Sequence, residues 1–217
     1  MSSAADMLKP TEAAVVARVA LRDVNRVIDE RILPEAFLSL DDGRRIAAAA
    51  CTLISFYFDS AKRLTSEERL FTIREAGSRL HQLRARALAS LVEEDWIVRD
   101  DFLTIDLAPF VRQTKEQMDR LAAAREMVVS DPDTLGGVLV IRGTRVPVYD
   151  VAASVAAGLP VKRILAAYPS LDAGRVELAA IYAEANPVRG RPKSSAEFPK
   201  GAVVAADRRV PRRSKAR

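Results

Sequence analysis

Apolar positions recur at helical spacing from Thr11 to Met127, with few interruptions, and then change period. Thr11–Arg18 centres on an Ala and Val run, Ala13–Ala17. A turn at Val19-Ala20-Leu21 leads into a second helix, Arg22–Glu30, with Val24, Val27 and Ile28 on one face, and Leu33-Pro34 stops it. Ala36–Leu40 is a short connection with strand character, and Asp41-Asp42-Gly43 reads as a turn and helix cap. The run that follows, Arg44–Leu64, is nearly all Ala or bulky apolar and predicts a central helix packed on several sides. Thr65-Ser66-Glu67-Glu68 has the Thr-x-x-Glu pattern of a capping box and opens a helix leading into Ala76–Glu93. Trp96-Ile97-Val98 and Phe102–Ile105 flank Arg99-Asp100-Asp101 as a hairpin, the expected wing of a winged helix-turn-helix domain. Phe110–Met127 carries a thin stripe of Val111, Met118, Leu121 and Ala122. Such a helix either bridges two domains or packs on a second copy.

The period changes after Val128-Val129-Ser130, where we place a domain boundary. Val138–Ile141 and Val146-Pro147-Val148 are apolar and β-branched, and Arg142-Gly143-Thr144-Arg145 lies between them as a tight turn. Three short helices follow at Tyr149–Ala157, Val161–Ala167 and Asp172–Ala185, broken at Gly158-Leu159-Pro160 and Tyr168-Pro169. Their layout is that of a trihelical helix-turn-helix unit. The expected fold is mainly α with small β-hairpins. Residues 1–129 form an N-terminal winged helix-turn-helix domain, 130–185 a hairpin with three helices, and 186–217 a basic tail.

Charge sharpens this division. The net charge is +5, but from Asn186 onward there are ten Lys/Arg and two acids, Glu197 and Asp207, or +8. That leaves 24 of the 34 basic residues and 27 of the 29 acidic ones to the rest of the chain, or −3. The tail combines prolines and cations with few apolar anchors, a composition expected to stay disordered until it meets an acidic partner. The single cysteine, Cys51, lies in an apolar run and reads as a packing residue; its solitude excludes an intramolecular disulfide and suits a reducing cytoplasm. The longest apolar run, Ile46–Phe58, is shorter than the roughly 20 residues that span a bilayer, and Met1–Pro10 lacks a signal-peptide core, so no membrane partner is expected.

Candidate chemistry points to binding. There is no Gly-rich phosphate loop, no Ser elbow and no His-based metal motif, and the lone His81 reads as a surface or packing residue; neither an enzyme nor a cofactor is expected. The helix Arg22–Glu30 presents Arg22, Asn25 and Arg26 outward. Those side chains either form a solvated face or contact DNA, where Arg pairs with guanine and Asn with adenine. The helix Asp172–Ala185 offers Arg175 among Asp172, Glu177 and Glu184, poor electrostatics for a phosphate backbone. DNA contact is therefore assigned to Arg22, Asn25 and Arg26. The hairpin is assigned to homodimerisation through Val138, Val140, Ile141, Val146 and Val148, since edge strands pair between copies. Arg142 and Arg145 either brace their turn or meet a phosphate or protein partner.

Ser130–Ala185 resembles the bacterial family labelled domain of unknown function four-three-three, which includes VapB-type antitoxins. The matching residues are Asp131-Pro132, Gly136-Gly137, Ile141-Arg142-Gly143-Thr144-Arg145-Val146-Pro147-Val148, Gly158, Ile164-Leu165, Tyr168-Pro169-Ser170-Leu171 and Ala180-Ile181-Tyr182-Ala183. Where the family usually has Gly-Lys-Pro, this chain has Gly137-Val138-Leu139. The N-terminal half is weakly similar to a MerR-like helix-turn-helix through Glu12-Ala13-Ala14 and Val24-Asn25-Arg26-Val27-Ile28. The resemblance implies a homeodomain-like C-terminal unit, in an antitoxin that binds its own operator DNA and neutralises a PIN-domain ribonuclease toxin with an acidic metal site. On that reading the tail contacts the toxin through Arg189, Arg191 and Lys193, with Phe198, Val203 and Val204 as anchors. Arg189-Gly190-Arg191-Pro192 also resembles the core of an AT-hook, which would put the tail on DNA. The alternative function is a DNA-binding transcriptional regulator without a toxin.

Overall fold

The computed structural model describes residues 7–41, 43–83, 91–132 and 135–188. The described chain is mainly helical, with small antiparallel sheets.

Strand β1 (Met7–Leu8) leads directly into α1 (Pro10–Ala17). Pro10 occupies the first turn, where a missing N–H costs nothing, and Glu12 reaches back to accept from the Lys9 N–H at 2.9 Å. Arg18 closes α1 in the left-handed conformation, φ 56°, and α2 (Leu21–Asp29) starts three residues later. Val24, Val27 and Ile28 are buried as their spacing predicts. Strands β2 (Leu38–Ser39) and β3 (Arg45–Ala47) then form a hairpin, and β3 pairs on its other side with β1, giving the order β1-β3-β2. Gly43, at φ +90°, turns this hairpin.

The single helix expected over Arg44–Leu64 is thus divided. Its first residues are the central strand β3; α3 is confined to Cys51–Asp59 and followed by a 3-10 turn at Ser60–Lys62. Helical propensity in the Ala-rich stretch yields to pairing with two neighbouring strands. The next helix, α4 (Ser66–Leu83), begins with the predicted box: the Thr65 N–H and the Glu68 N–H exchange hydrogen bonds with Glu68 Oε2 and Thr65 Oγ1 at 2.6 and 3.3 Å. His81 packs edge-on against Phe37, with ring centroids 6.3 Å apart.

The hairpin read as a wing forms as β4 (Ile97–Asp100) and β5 (Leu103–Asp106), but β4 packs on α4. A separate hairpin, β2–β3, follows α2 in the chain after a 3-10 turn at Glu35–Phe37. Helix α5 (Ala108–Met127) buries Val111, Met118, Leu121 and Ala124; Ala122, placed on its inner stripe from the sequence, is exposed. It packs on α1 and α3 and, further along, on the last helix, so it bridges the two halves of the chain.

Val128-Val129, at the expected domain boundary, is strand β6 and pairs with β7 (Val140–Ile141). The predicted turn at Arg142–Arg145 is present. The Ile141 N–H donates to Val146 and the Val148 N–H to Leu139, both at 3.0 Å, but the returning strand reduces to a single bridge, Val140 to Pro147. Most of the side chains assigned to dimerisation are taken up within the chain. Val140, Ile141 and Val148 are buried within the chain, on β6 and against the helices that follow, and Val146 is half-buried. Of the five, only Val138 is exposed. Helices α6 (Val148–Ala156), α7 (Val161–Ala167) and α8 (Ala173–Ala185) complete the unit around Val151, Ile164, Leu171, Val176 and Ala179. Among the described residues no helix is long and apolar enough to cross a membrane.

Candidate nucleic-acid interface

The three side chains assigned to DNA stand on the outer face of α2. Arg22 is 88% exposed; Arg26 projects one turn further along, and Asn25 lies half-buried toward the sheet. The fold sets the β2–β3 hairpin beside them. Arg44 donates from Nη1 to Asn25 Oδ1 at 3.3 Å and from Nη2 to Asp29 Oδ1 at 2.8 Å. A shallow groove of about 410 Å³ runs between α2 and the sheet, lined by Lys9, Thr11, Leu21, Asn25, Arg44 and Arg45. Arg44, Arg45 and Lys9 were not among the residues assigned from the sequence. Arg44 and Arg45 were read as the start of a helix, and only strand pairing turns them toward α2.

Acids thin out the positive charge of this face without cancelling it. Arg26 is bonded to Glu30 at 2.9 Å, and that carboxylate raises the guanidinium above its ordinary range, so Arg26 stays charged at any working pH. Asp29 is occupied by Arg44, and Asp23 lies 3.7 Å from Arg22. Lys9 and Arg45 have no acidic partner among the described residues. The outward groups are therefore dominated by hydrogen-bond donors, the chemistry a phosphate backbone or a guanine edge requires.

The C-terminal unit uses its surfaces differently. Helix α8 is packed against α1, α5 and α6. Glu177 pairs with Arg120 of α5, and Arg175 folds back on the capping residue Asp172. Its exposed positions include the acids Asp172, Glu177 and Glu184. Arg142 is neither a free cation nor a local brace. Its guanidinium donates to the Glu126 carbonyl at 3.0 and 2.8 Å, and its backbone N–H to Met127, closing the C-terminus of α5. Thr144 braces the turn instead, accepting from the Val146 N–H and donating to Ile141. Arg145 is exposed.

Residues 128–183 match the family described as Protein of unknown function (DUF433). The match begins at Val128, the first residue of β6. Across its whole length the chain is 63% identical to the Uncharacterized protein y4eO of Sinorhizobium fredii, over 215 residues, 99% of this chain and 97% of that one. The chain and y4eO belong to one family. No solved structure matches the chain. That alignment takes in the N-terminal half, the DUF433 unit and nearly all of the tail of this chain.

The tail residues Arg189, Arg191, Lys193, Phe198, Val203 and Val204 lie outside the described residues. Its point of departure is defined, however. The Ala185 carbonyl accepts from the Thr11 hydroxyl at 2.7 Å, and the Asn186 carbonyl from the Tyr149 hydroxyl at 2.7 Å. Thr11 lines the groove beside α2. The tail therefore starts at the edge of the candidate interface.

Proposed function

We propose that this protein is a DNA-binding antitoxin. It reads operator DNA with a winged helix-turn-helix in which α2 is the recognition helix and β2–β3 the wing. It neutralises a PIN-domain ribonuclease with its basic tail, and so represses its own operon. The observation that carries the DNA-binding half is the groove that Asn25 of α2 shares with Arg44, Arg45 and Lys9, next to the exposed Arg22 and Arg26 on the same helix. Two helices joined by a three-residue turn and followed by a hairpin are the layout in which one helix enters the major groove and a strand pair follows the backbone. The antitoxin half rests on the resemblance of the DUF433 unit to a family with VapB-type antitoxins, and on the +8 tail beside a −3 body.

The test uses the full chain, the duplex upstream of its gene and the product of the adjacent reading frame. The chain should retard the duplex and suppress ribonuclease activity of the neighbour. Arg22→Ala combined with Arg26→Ala should weaken DNA binding roughly 10-fold or more at fixed salt, and suppression should persist. Retardation unaffected by the double substitution would remove α2 from the reading. A neighbour without ribonuclease activity, or one the chain does not inhibit, would leave a DNA-binding regulator whose tail acts on DNA. That second reading is favoured by one feature: the tail begins beside the groove.

A further inference from the structure

We propose that Arg44 sets the base preference of the interface, turning Asn25 from a reader of adenine into a donor that selects guanine. This inference rests on the DNA-binding reading above. Guanidinium groups only donate hydrogen bonds. The Arg44 Nη1 contact, 3.3 Å from Asn25 Oδ1, therefore fixes the side-chain amide, with its oxygen toward the hairpin and its NH₂ away from it. That NH₂ has no partner among the described residues and is not buried. Asp29, at 2.8 Å, holds the Arg44 guanidinium from its other side, so the arrangement is clamped at two points.

Adenine recognition by asparagine needs both ends of the amide on one base edge: the oxygen accepts from N6 while the nitrogen donates to N7. With one lone pair of its oxygen taken by Arg44 and the oxygen turned toward the hairpin, Asn25 presents its nitrogen on the side away from the hairpin. Its exposed neighbour on the helix, Arg22, only donates. Guanine shows two acceptors in the major groove, N7 and O6, and satisfies such a surface. Adenine would set its N6 amino group against donors and leave a polar group unpaired. The sequence points to a mixed guanine and adenine code; the Arg44 contact makes it a guanine code.

The experiment is a selection by the full chain from a library of duplexes with a randomised core, repeated with Asn25→Ala, Arg44→Ala and Asp29→Asn. All three positions are on the surface, and thermal melts establish that the variants fold. Asn25→Ala identifies the base pair that Asn25 reads, as the position whose preference it relaxes. Wild-type chain should enrich guanine there by about tenfold over adenine. Arg44→Ala, which frees the amide oxygen, should bring adenine level with guanine or above it, and Asp29→Asn should move the ratio in the same direction. Should Arg44→Ala misfold, Asp29→Asn decides alone. Enrichment of adenine by the wild type at the Asn25 position would overturn the inference and leave DNA binding standing. So would variants that lower affinity for all duplexes equally. Retention of no duplex at all would overturn both.

Discussion

Single residues in this fold are placed by what they neutralise. Glu12 is buried at the start of α1, yet it is doubly satisfied: one oxygen accepts from the Lys9 N–H, and the other pairs with Arg125 of α5 at 2.9 Å. A buried carboxylate is tolerable only with such partners, and this one ties α1 to the bridging helix. Cys51 is fully enclosed against Ala13, and burial pushes its thiol up to about 12. A proton held more tightly in the folded than in the unfolded state stabilises the fold below about pH 9; that contribution is lost as the pH rises toward 12. Cys51 should therefore be inert to thiol-specific reagents at pH 8 in the folded protein and react only on unfolding. An Ellman titration with and without denaturant measures this, and prompt reaction without denaturant would contradict the burial.

At the scale of elements, β6 and β7 decide what the DUF433 signature does. The Arg-Gly-Thr-Arg-Val-Pro-Val segment holds the chain together: Ile141 seeds the core of α6–α8, Arg142 closes α5, and Thr144 braces the turn. Val140, paired with Val129 of β6, is buried as well. Val140→Asp should accordingly lower the unfolding free energy by about 3 kcal/mol, since it buries a carboxylate without a partner. The effect should appear as a lowered melting temperature with no separate change in oligomeric state. A variant that melts like the wild type but elutes at a smaller size would place Val140 in a dimer interface.

At the scale of the whole molecule, α5 and α8 make the two units one body. Helix α8 lies against α1, α5 and α6, and Ala185 belongs to the same core as α1 and α3. The last residues before the tail are tied to Thr11 and Tyr149, so the tail starts from a fixed point beside the groove. Truncation after Val188 keeps those contacts. The shortened chain should melt within a degree or two of the full chain, retain sequence-dependent DNA binding and lose inhibition of the ribonuclease. If it inhibits the ribonuclease as well as the full chain does, the tail is not the inhibitor. If sequence-dependent binding vanishes instead, the tail is part of the DNA reader.

The periodic apolar positions and local signals by themselves determined much of this protein. The face of α2 formed by Val24, Val27 and Ile28, the Thr65–Glu68 box, the β4–β5 hairpin, the three C-terminal helices and the turn at Arg142–Arg145 all follow from short-range patterning, which needs no knowledge of the rest of the chain. Tertiary structure decided the remainder. Ile46–Ala47 is a strand because β1 and β2 flank it, and Val128-Val129 is a strand because β7 is within reach; an apolar stretch cannot declare which partner it will find. The same limit governed the candidate interface. Arg22, Asn25 and Arg26 were legible as an outward helical face, but Arg44, Arg45 and Lys9 became part of it only when the hairpin folded back beside α2. Hydrogen-bond partners distant in sequence leave no periodic trace. The Arg44 contact that orients Asn25, the guanidinium of Arg142 on the end of α5 and the anchoring of the tail at Thr11 are therefore products of the three-dimensional fold alone.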